Sequence, residues 1–518
     1  MRFRNTLFLL ALLFVARPVA AQQLNLSGFD DYVHQALRDW EVPGVAIAIV
    51  KNDAVVLARG YGVQKTGDPT PVDERTVFAI GSVSKAFTAA ALAALVDDGK
   101  VKWNDPVAKH LPGFELFDPY VTRELTITDL LTHRSGLDRA DLLWYGTTHD
   151  REEILRRLRY QKPTWSFRSH FGYNNNLFTT AGQLAARVSG QSWDQFLARR
   201  FFEPLRMTST NTTAAALSSY PNLATPHSRL EGRVQPVPWR VLDNAGPAGS
   251  IYSNVTDMAQ WIRLQLGAGQ FEGRQLLSRD VMKEMHTPQV VIRPDATSTL
   301  LFPAAHFITY GLGWFMHDYQ GRKVIDHTGN IDGMSALIAL LPEENVGFVI
   351  LSNLSSNSLP KSLEFRLLDL ILRAPARDWS QELLKETRAR DAQALATEEK
   401  LLQQRVPGTR PSLALEKYAG TYLDDLYGEA ILSLTDGRLT MRIAGGGLSD
   451  LEHWHYDLFR ATPRDGPARR SMVTFTINAQ GQVEELKLQT PGAAPAIFKG
   501  PSPSPLPAGT EGAKRPPK

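Results

Sequence analysis

Two groups of β-rich runs stand far apart in this chain, and helical spacing dominates what separates them. Residues 44–50 and 54–60 form a hairpin pattern joined by Lys51-Asn52-Asp53. Residues 323–326, 334–341 and 346–352 are β-rich again, the last two joined by Pro342-Glu343-Glu344-Asn345. A two-stranded hairpin is marginal alone, so the distant runs are expected to complete one antiparallel sheet. Residues 85–320 read mainly as helices and loops, with helical spacing at 151–160, 178–188, 193–202 and 256–266. An amphipathic helix at 29–40 precedes the first hairpin. The expected fold class is α/β: an antiparallel sheet flanked by helices, with a helical subdomain inserted.

Further on the texture changes. Residues 379–405 form a charged, Leu-containing helical stretch. Short β runs follow at 429–434, 439–443, 453–460, 472–477 and 483–488, with the hairpin signal Asp436-Gly437 between the first two. They predict a small all-β domain, barrel-like. The Pro-, Gly- and Lys-rich end is expected to be disordered. At the other terminus Arg2 and Arg4, an apolar run from Leu7 to Ala16, and Val19-Ala20-Ala21 have the form of a secretory signal cleaved before Gln22. Ten apolar residues are too few to span a bilayer, and no later stretch is long and apolar enough. The domain plan is therefore 1–21 signal peptide, 22–375 main α/β domain, 376–410 helical connector, 411–500 all-β domain and 501–518 tail.

Composition excludes several classes. The formal charge of +3 depends on the leader: without Arg2, Arg4 and Arg17 the 57 basic residues fall to 54, equal to the 54 acidic ones. A near-neutral mature chain has no nucleic-acid footprint. The absence of cysteine excludes disulfides, a thiol nucleophile and Cys-ligated metal. At 518 residues the core is large enough for an exported protein without disulfides. The expected location is periplasmic or secreted.

Chemistry concentrates at Ser82-Val83-Ser84-Lys85, where the apolar run from Phe78 meets a helical pattern closed by Gly99. Residues three apart share a helix face, so the Lys85 amine can approach the Ser82 hydroxyl. A desolvated, neutral amine can take the hydroxyl proton. The helix start also offers free backbone N–H groups to an oxyanion. Taken alone, Ser-x-x-Lys is equally an ordinary helix start.

Three further segments add weight. Gly172-Tyr173-Asn174-Asn175-Asn176 contains Tyr-x-Asn before a helical run, and Asp326-His327-Thr328-Gly329-Asn330 contains His-Thr-Gly after a strand. The stretch from Leu130 to Leu137 and Tyr310-Gly311-Leu312-Gly313-Trp314 look like framework signatures. In that order the motifs resemble those of the penicillin-recognising serine hydrolases, closest to the class C β-lactamase-like branch with its DD-peptidases, family VIII esterases and D-aminopeptidases. The resemblance covers residues 42–353, and the C-terminal domain loosely resembles the lipocalin-like domain behind some D-amino-acid peptidases.

The resemblance implies roles residue by residue. Ser82 is the nucleophile, Lys85 eases removal of its proton, and Tyr173 is the partner base that then protonates the leaving group. Asn175 binds the substrate amide and steadies Lys85. His327, Thr328 and Gly329 line the cleft, and the backbone N–H groups of Ser82 and Asn330 form the oxyanion hole. Read singly, Tyr173 is also a core aromatic, Asn175 a helix cap, and His327 a partner for Asp326. Many β-lactamases carry Lys where this chain has His327, which turns the expectation toward a D-amino-acid peptidase, DD-peptidase or esterase rather than a β-lactamase proper. An anionic substrate is expected to bind better as pH falls through the His327 pKa, near 6.5 for a free imidazole. No metal or organic cofactor is implied; His453-x-His455 places two imidazoles close together without a third ligand. The partners implied are a peptide or small-molecule substrate, with homo-oligomerisation left open. A non-catalytic sensor of cell-wall fragments or penicillins is the alternative from another class.

Overall fold

The computed structural model describes residues 24–502 apart from 296–298, 300–301 and 466–469. The expected signal peptide, and the tail from residue 503, lie outside the described residues. Among those described, no helix is long and apolar enough to cross a membrane.

The chain opens with α1 (Phe29–Trp40), which buries Phe29, Val33, Ala36, Leu37 and Trp40 along one stripe. Strands β1 (Gly44–Lys51) and β2 (Ala54–Gly62) form the first hairpin. A 3-10 turn at Gly81–Val83 leads into α2 (Ser84–Asp97), buried on every side from Ser84 to Leu95. Its run of alanines lets neighbours approach closely all round. Helices α3 (Asn175–Ser189) and α4 (Val255–Leu266) follow, each capped by an Asn, at 174 and 254, whose side chain accepts a backbone N–H.

The sheet is completed by β3 (Val290–Ile292), β4 (Ile308–Tyr310), β5 (Phe315–Tyr319), β6 (Arg322–Ile331), β7 (Met334–Leu341) and β8 (Val346–Ser352). Its order is β2-β1-β8-β7-β6-β5-β4-β3, antiparallel throughout. The two distant sequence groups thus meet where β1 pairs with β8, Val45 opposite Ser352. Residues 85–320 are mainly helices and loops, and within them the three short strands β3, β4 and β5 extend the sheet.

Both faces of the sheet are covered. Along β1, Ala46, Ala48 and Val50 enter the core shared with α2 and α4, while Val45, Ile47 and Ile49 enter the core shared with α1 and α5 (Leu359–Leu372). Such strands read as unbroken apolar runs rather than alternating ones. Helix α6 (Trp379–Gln403) anchors its first turn, with Trp379 Nε1 donating to Asp369 and Trp40 Nε1 to Ser380, and then runs out exposed.

The C-terminal domain is a closed eight-stranded barrel: β9 (Gly420–Asp424), β10 (Gly428–Thr435), β11 (Arg438–Ile443), β12 (Leu448–His455), β13 (Leu458–Pro463), β14 (Ser471–Ile477), β15 (Val483–Gln489) and β16 (Ala496–Ser502). Pairing of β16 with β9 closes it and removes the open edges. The run 453–460 is a hairpin and not one strand, because Tyr456 takes the left-handed conformation (φ 48°) and turns the chain.

Candidate active site

Ser82 sits in the 3-10 turn just before α2 rather than inside the helix, and is partly exposed. Lys85, one turn on, is fully buried. Its Nζ donates to Ser82 Oγ at 2.9 Å and to the Ala248 carbonyl at 2.7 Å. Burial, then the Arg139 charge, pushes the Lys85 pKa well below its ordinary value, with Asp141 opposing. An amine in that state gives up its proton more readily than an ordinary lysine.

Tyr173 closes the group. Its ring centroid lies 4.9 Å from Lys85 Nζ, and its phenol stands near the Ser82 side chain. Burial raises the phenol to about 12, with the Ser82 hydroxyl and the Arg139 charge opposing. Tyr173 is therefore a protonated phenol near pH 7. The ring rests on buried His133, 4.2 Å between centroids, and His133 Nδ1 accepts the Asn174 backbone N–H at 3.0 Å. The framework stretch from Leu130 to Leu137 thus carries the seat of Tyr173.

The Tyr-x-Asn segment divides its labour differently from the expectation. Asn174 is the α3 cap. Asn175 gives its Nδ2 to Asp141 Oδ1 at 3.0 Å, while the hydrogen bonds of Lys85 go to Ser82 and Ala248. Asp141 also accepts from Arg139 Nε at 2.7 Å and from Trp144 Nε1 at 3.0 Å. The Arg139 guanidinium stands 5.2 Å from the Tyr173 ring. Sequence reasoning missed Ala248, Arg139 and Asp141, because their loops carry no periodicity and their contacts are purely tertiary. The one available signal was the Gly246-Pro247-Ala248-Gly249 turn, a tight stretch able to bring backbone close to a helix.

Strand β6 forms the facing wall. A Cβ on Gly329 would lie 2.0 Å from the Ile80 carbonyl oxygen and 3.2 Å from Ser82 N, so only glycine lets the strand press against the Ser82 turn. Asn330 Oδ1 accepts from Ser335 Oγ and Ser356 N, which ties its side chain away from the cleft. The Asn330 N lies 3.0 Å from where a Cβ of Gly81 would stand. The two backbone N–H groups proposed for an oxyanion therefore flank the same turn. Thr328 is partly exposed beside them.

His327 corrects the expectation attached to it. The ring is buried, with Nε2 at 3.0 Å from the Tyr310 hydroxyl and Nδ1 at 2.6 Å from the Thr328 carbonyl. Burial and the Lys85 charge lower its pKa to about 3. It is neutral near pH 7 and cannot gain an anionic substrate through the ordinary imidazole range. Asp326 lies on the other side of β6, against Lys361 and not His327.

That other side holds the cluster nearest to a metal set among the described residues: His317, Asp326 and Glu364, with ligand atoms within 4.8 Å of one another. Lys361 Nζ already stands there, 2.5 Å from Asp326 and 2.6 Å from Glu364, and supplies the positive charge. His453 and His455 have ordinary partners, the Tyr456 carbonyl and the Val406 N–H.

A family model described as β-lactamase matches residues 29–372, and a model described as a domain of unknown function, DUF3471, matches residues 404–499. The chain is 30% identical over 446 residues to an unguisins hydrolase of Aspergillus violaceofuscus, covering 79% of this chain and 77% of that one. The octameric penicillin-binding protein homologue from Pyrococcus abyssi superposes with a TM-score of 0.59 at 20% identity, covering 92% of this chain and all (100%) of that one. A D-stereospecific amidohydrolase from Streptomyces sp. superposes with a TM-score of 0.54 at 22% identity, covering 67% and 99%.

Proposed function

The chain belongs to the β-lactamase family of serine hydrolases, and from that premise we propose that it is an exported hydrolase that cleaves amide or ester bonds through an acyl-enzyme on Ser82. The observation that carries this reading is the 2.9 Å contact between Lys85 Nζ and Ser82 Oγ at a fully buried amine. Ser82 Oγ attacks the substrate carbonyl carbon and its proton passes to the Lys85 lone pair. The carbonyl oxygen takes the negative charge between the Ser82 and Asn330 backbone N–H groups, one such donor being worth about 3 kcal/mol in the transition state. Collapse breaks the scissile bond, and the leaving amine or alkoxide receives a proton from the Lys85 ammonium through the Tyr173 phenol. Water then attacks the acyl group by the same route in reverse and frees Ser82.

A peptide-like amide or an ester is the favoured substrate class, over a β-lactam. The buried, neutral His327 supports this choice, since it offers no cation to a carboxylate beside the scissile bond. The names of the Aspergillus and Streptomyces proteins, a hydrolase of unguisins and a D-stereospecific amidohydrolase, support it too. Self-association and a periplasmic or secreted location belong to the same reading, the first supported by the octamer named for the Pyrococcus abyssi homologue. A fluorophosphonate probe tests the core claim. Labelling of the wild type and none of Ser82→Ala is expected. A wild type that stays unlabelled, and turns over no ester or D-peptide amide, would leave a binding protein instead.

A further inference from the structure

The segment 139–149 has two working sides. Toward the cleft, Arg139 stands over Tyr173, Asp141 holds Asn175, and Tyr145 donates to Asp332 at 2.6 Å. Asp332 follows directly on β6, two residues after Asn330, and Arg240 grips it as well at 2.8 Å. The segment therefore spans from the Tyr173 wall to the end of the oxyanion strand.

Toward the other side it is held by the barrel. Leu142 packs against the barrel core. The Thr148 backbone N–H and hydroxyl both donate to the Ala444 carbonyl at 3.0 Å, and the Gly447 N–H reaches the Gly146 carbonyl at 3.3 Å. A Cβ on Gly446 would lie 1.6 Å from that same Gly146 oxygen, so the two backbones meet with no room for a side chain. Tyr427, from the turn between β9 and β10, packs into the barrel core and against the main core together. Burial pushes its phenol up to about 12, with Asp424, Asp138 and Asp141 adding to the rise. These contacts fix residues 142, 146 and 148, next in sequence to the cleft-facing residues 141 and 145.

We propose that the C-terminal barrel sets the catalytic geometry: through residues 139–149 it holds Asp141 as a positioning residue for Asn175 and Tyr173, and Tyr145 as a tether for the end of β6. A separate appendage would pack on a surface away from the cleft, whereas this one docks on the back of the cleft wall. Small displacements of positioned groups are costly in rate, since a misplacement of about 1 Å can cost on the order of 100-fold.

The inference rests on the serine-hydrolase reading, and the test separates the two. Full-length Leu142→Ala, Thr148→Val and Gly446→Val are compared with wild type for the second-order rate of fluorophosphonate acylation and for kcat and KM on a neutral ester. Loss of about ten-fold or more in acylation and kcat, with KM within about two-fold, is expected for each, and Leu142→Met, which conserves volume, should stay near wild type. Thermal melts and far-ultraviolet circular dichroism identify the folded variants. Should Gly446→Val fail to fold, the other two, which add no bulk, carry the comparison. Folded Leu142→Ala and Thr148→Val that acylate within about two-fold of wild type would overturn the inference. An unlabelled wild type would instead remove the serine-hydrolase reading, and this inference with it.

Discussion

His327 Nε2 lies 3.0 Å from the Tyr310 hydroxyl, and this contact fixes the character of the β6 wall. A buried imidazole whose other nitrogen meets the Thr328 carbonyl has no free valence for substrate. With its pKa lowered to about 3, the group contributes no charge in the range where an exposed histidine titrates. The ratio of kcat/KM for a carboxylate-bearing ester to that for a neutral ester should therefore stay constant from roughly pH 5 to 8. A rise toward the acid end that disappears in His327→Asn would reinstate the charged imidazole.

The same burial has a consequence for stability. The unfolded chain protonates His327 near 6.5, while the folded chain resists until about 3. His317 behaves likewise, lowered to about 4 by burial against the opposing charge of Asp326. Below pH 6.5 the unfolded state binds more protons, so stability falls as pH falls, by up to about 1.4 kcal/mol per pH unit for each such group. Urea unfolding at pH 6.5 and at pH 4.5 should show this slope, and His327→Asn should reduce it. An equal slope in the variant would mean that His327 is not the source.

Lys85 should be irreplaceable by arginine. The proposed role needs a group that can release its proton and offer a lone pair, which burial favours for the amine and which guanidinium does not provide. Lys85→Arg keeps a positive charge but should lose on the order of 100- to 10,000-fold in acylation, the usual worth of a positioned base. In the wild type the acylation rate should rise with pH to a plateau whose midpoint lies below the ordinary lysine value. A Lys85→Arg variant that acylates at the wild-type rate would transfer the base role elsewhere.

The pairing of Ser82 with Lys85 was legible because helix spacing alone puts three-apart residues on one face. Tyr173 was legible only from the order of the motifs, since nothing local distinguishes it from a core aromatic. The central strands declared themselves by length and unbroken apolar character. Strands β3 to β5 did not: they are three to five residues long, and Gly311 and Gly313 interrupt the run where they let backbone approach Met285 O and Lys85 O. The partnership of Asp141 with Asn175 joins a 3-10 turn to the start of α3, 34 residues apart, with no pattern to announce it.

Gly329 is open to a simple steric test. Its backbone needs no unusual conformation, so the constraint is space alone: a methyl group would stand 2.0 Å from the Ile80 carbonyl oxygen. Gly329→Ala should cost about 1 to 3 kcal/mol in stability, the range for forcing an extra carbon into a packed site. It should also slow acylation, because the strand that bears Asn330 N–H must retreat from the Ser82 turn. Calorimetry and probe labelling on one sample separate the two effects. Wild-type values of both would show that the turn yields without cost.

Lys361 tests the far side of the same strand. Its ammonium is shared by two buried carboxyl groups, Asp326 and Glu364, at 2.5 and 2.6 Å. Removing one member of a buried ion cluster leaves uncompensated charge, at about 3 to 5 kcal/mol. Lys361→Met retains the stem volume and isolates that loss. The carboxylates left behind have raised pKa values in the folded variant, so folding there takes up protons and acid relieves the defect. Burial already pushes Glu364 up to about 8 with the lysine in place. The stability gap between wild type and Lys361→Met should therefore be widest above about pH 8 and narrow toward pH 5.5, where both forms are compared by urea unfolding. A gap that stays constant over that range would mean that lost packing against Phe302 and Phe365, which the Lys361 ammonium faces at 4.4 and 5.6 Å, and not charge, is what the substitution removes.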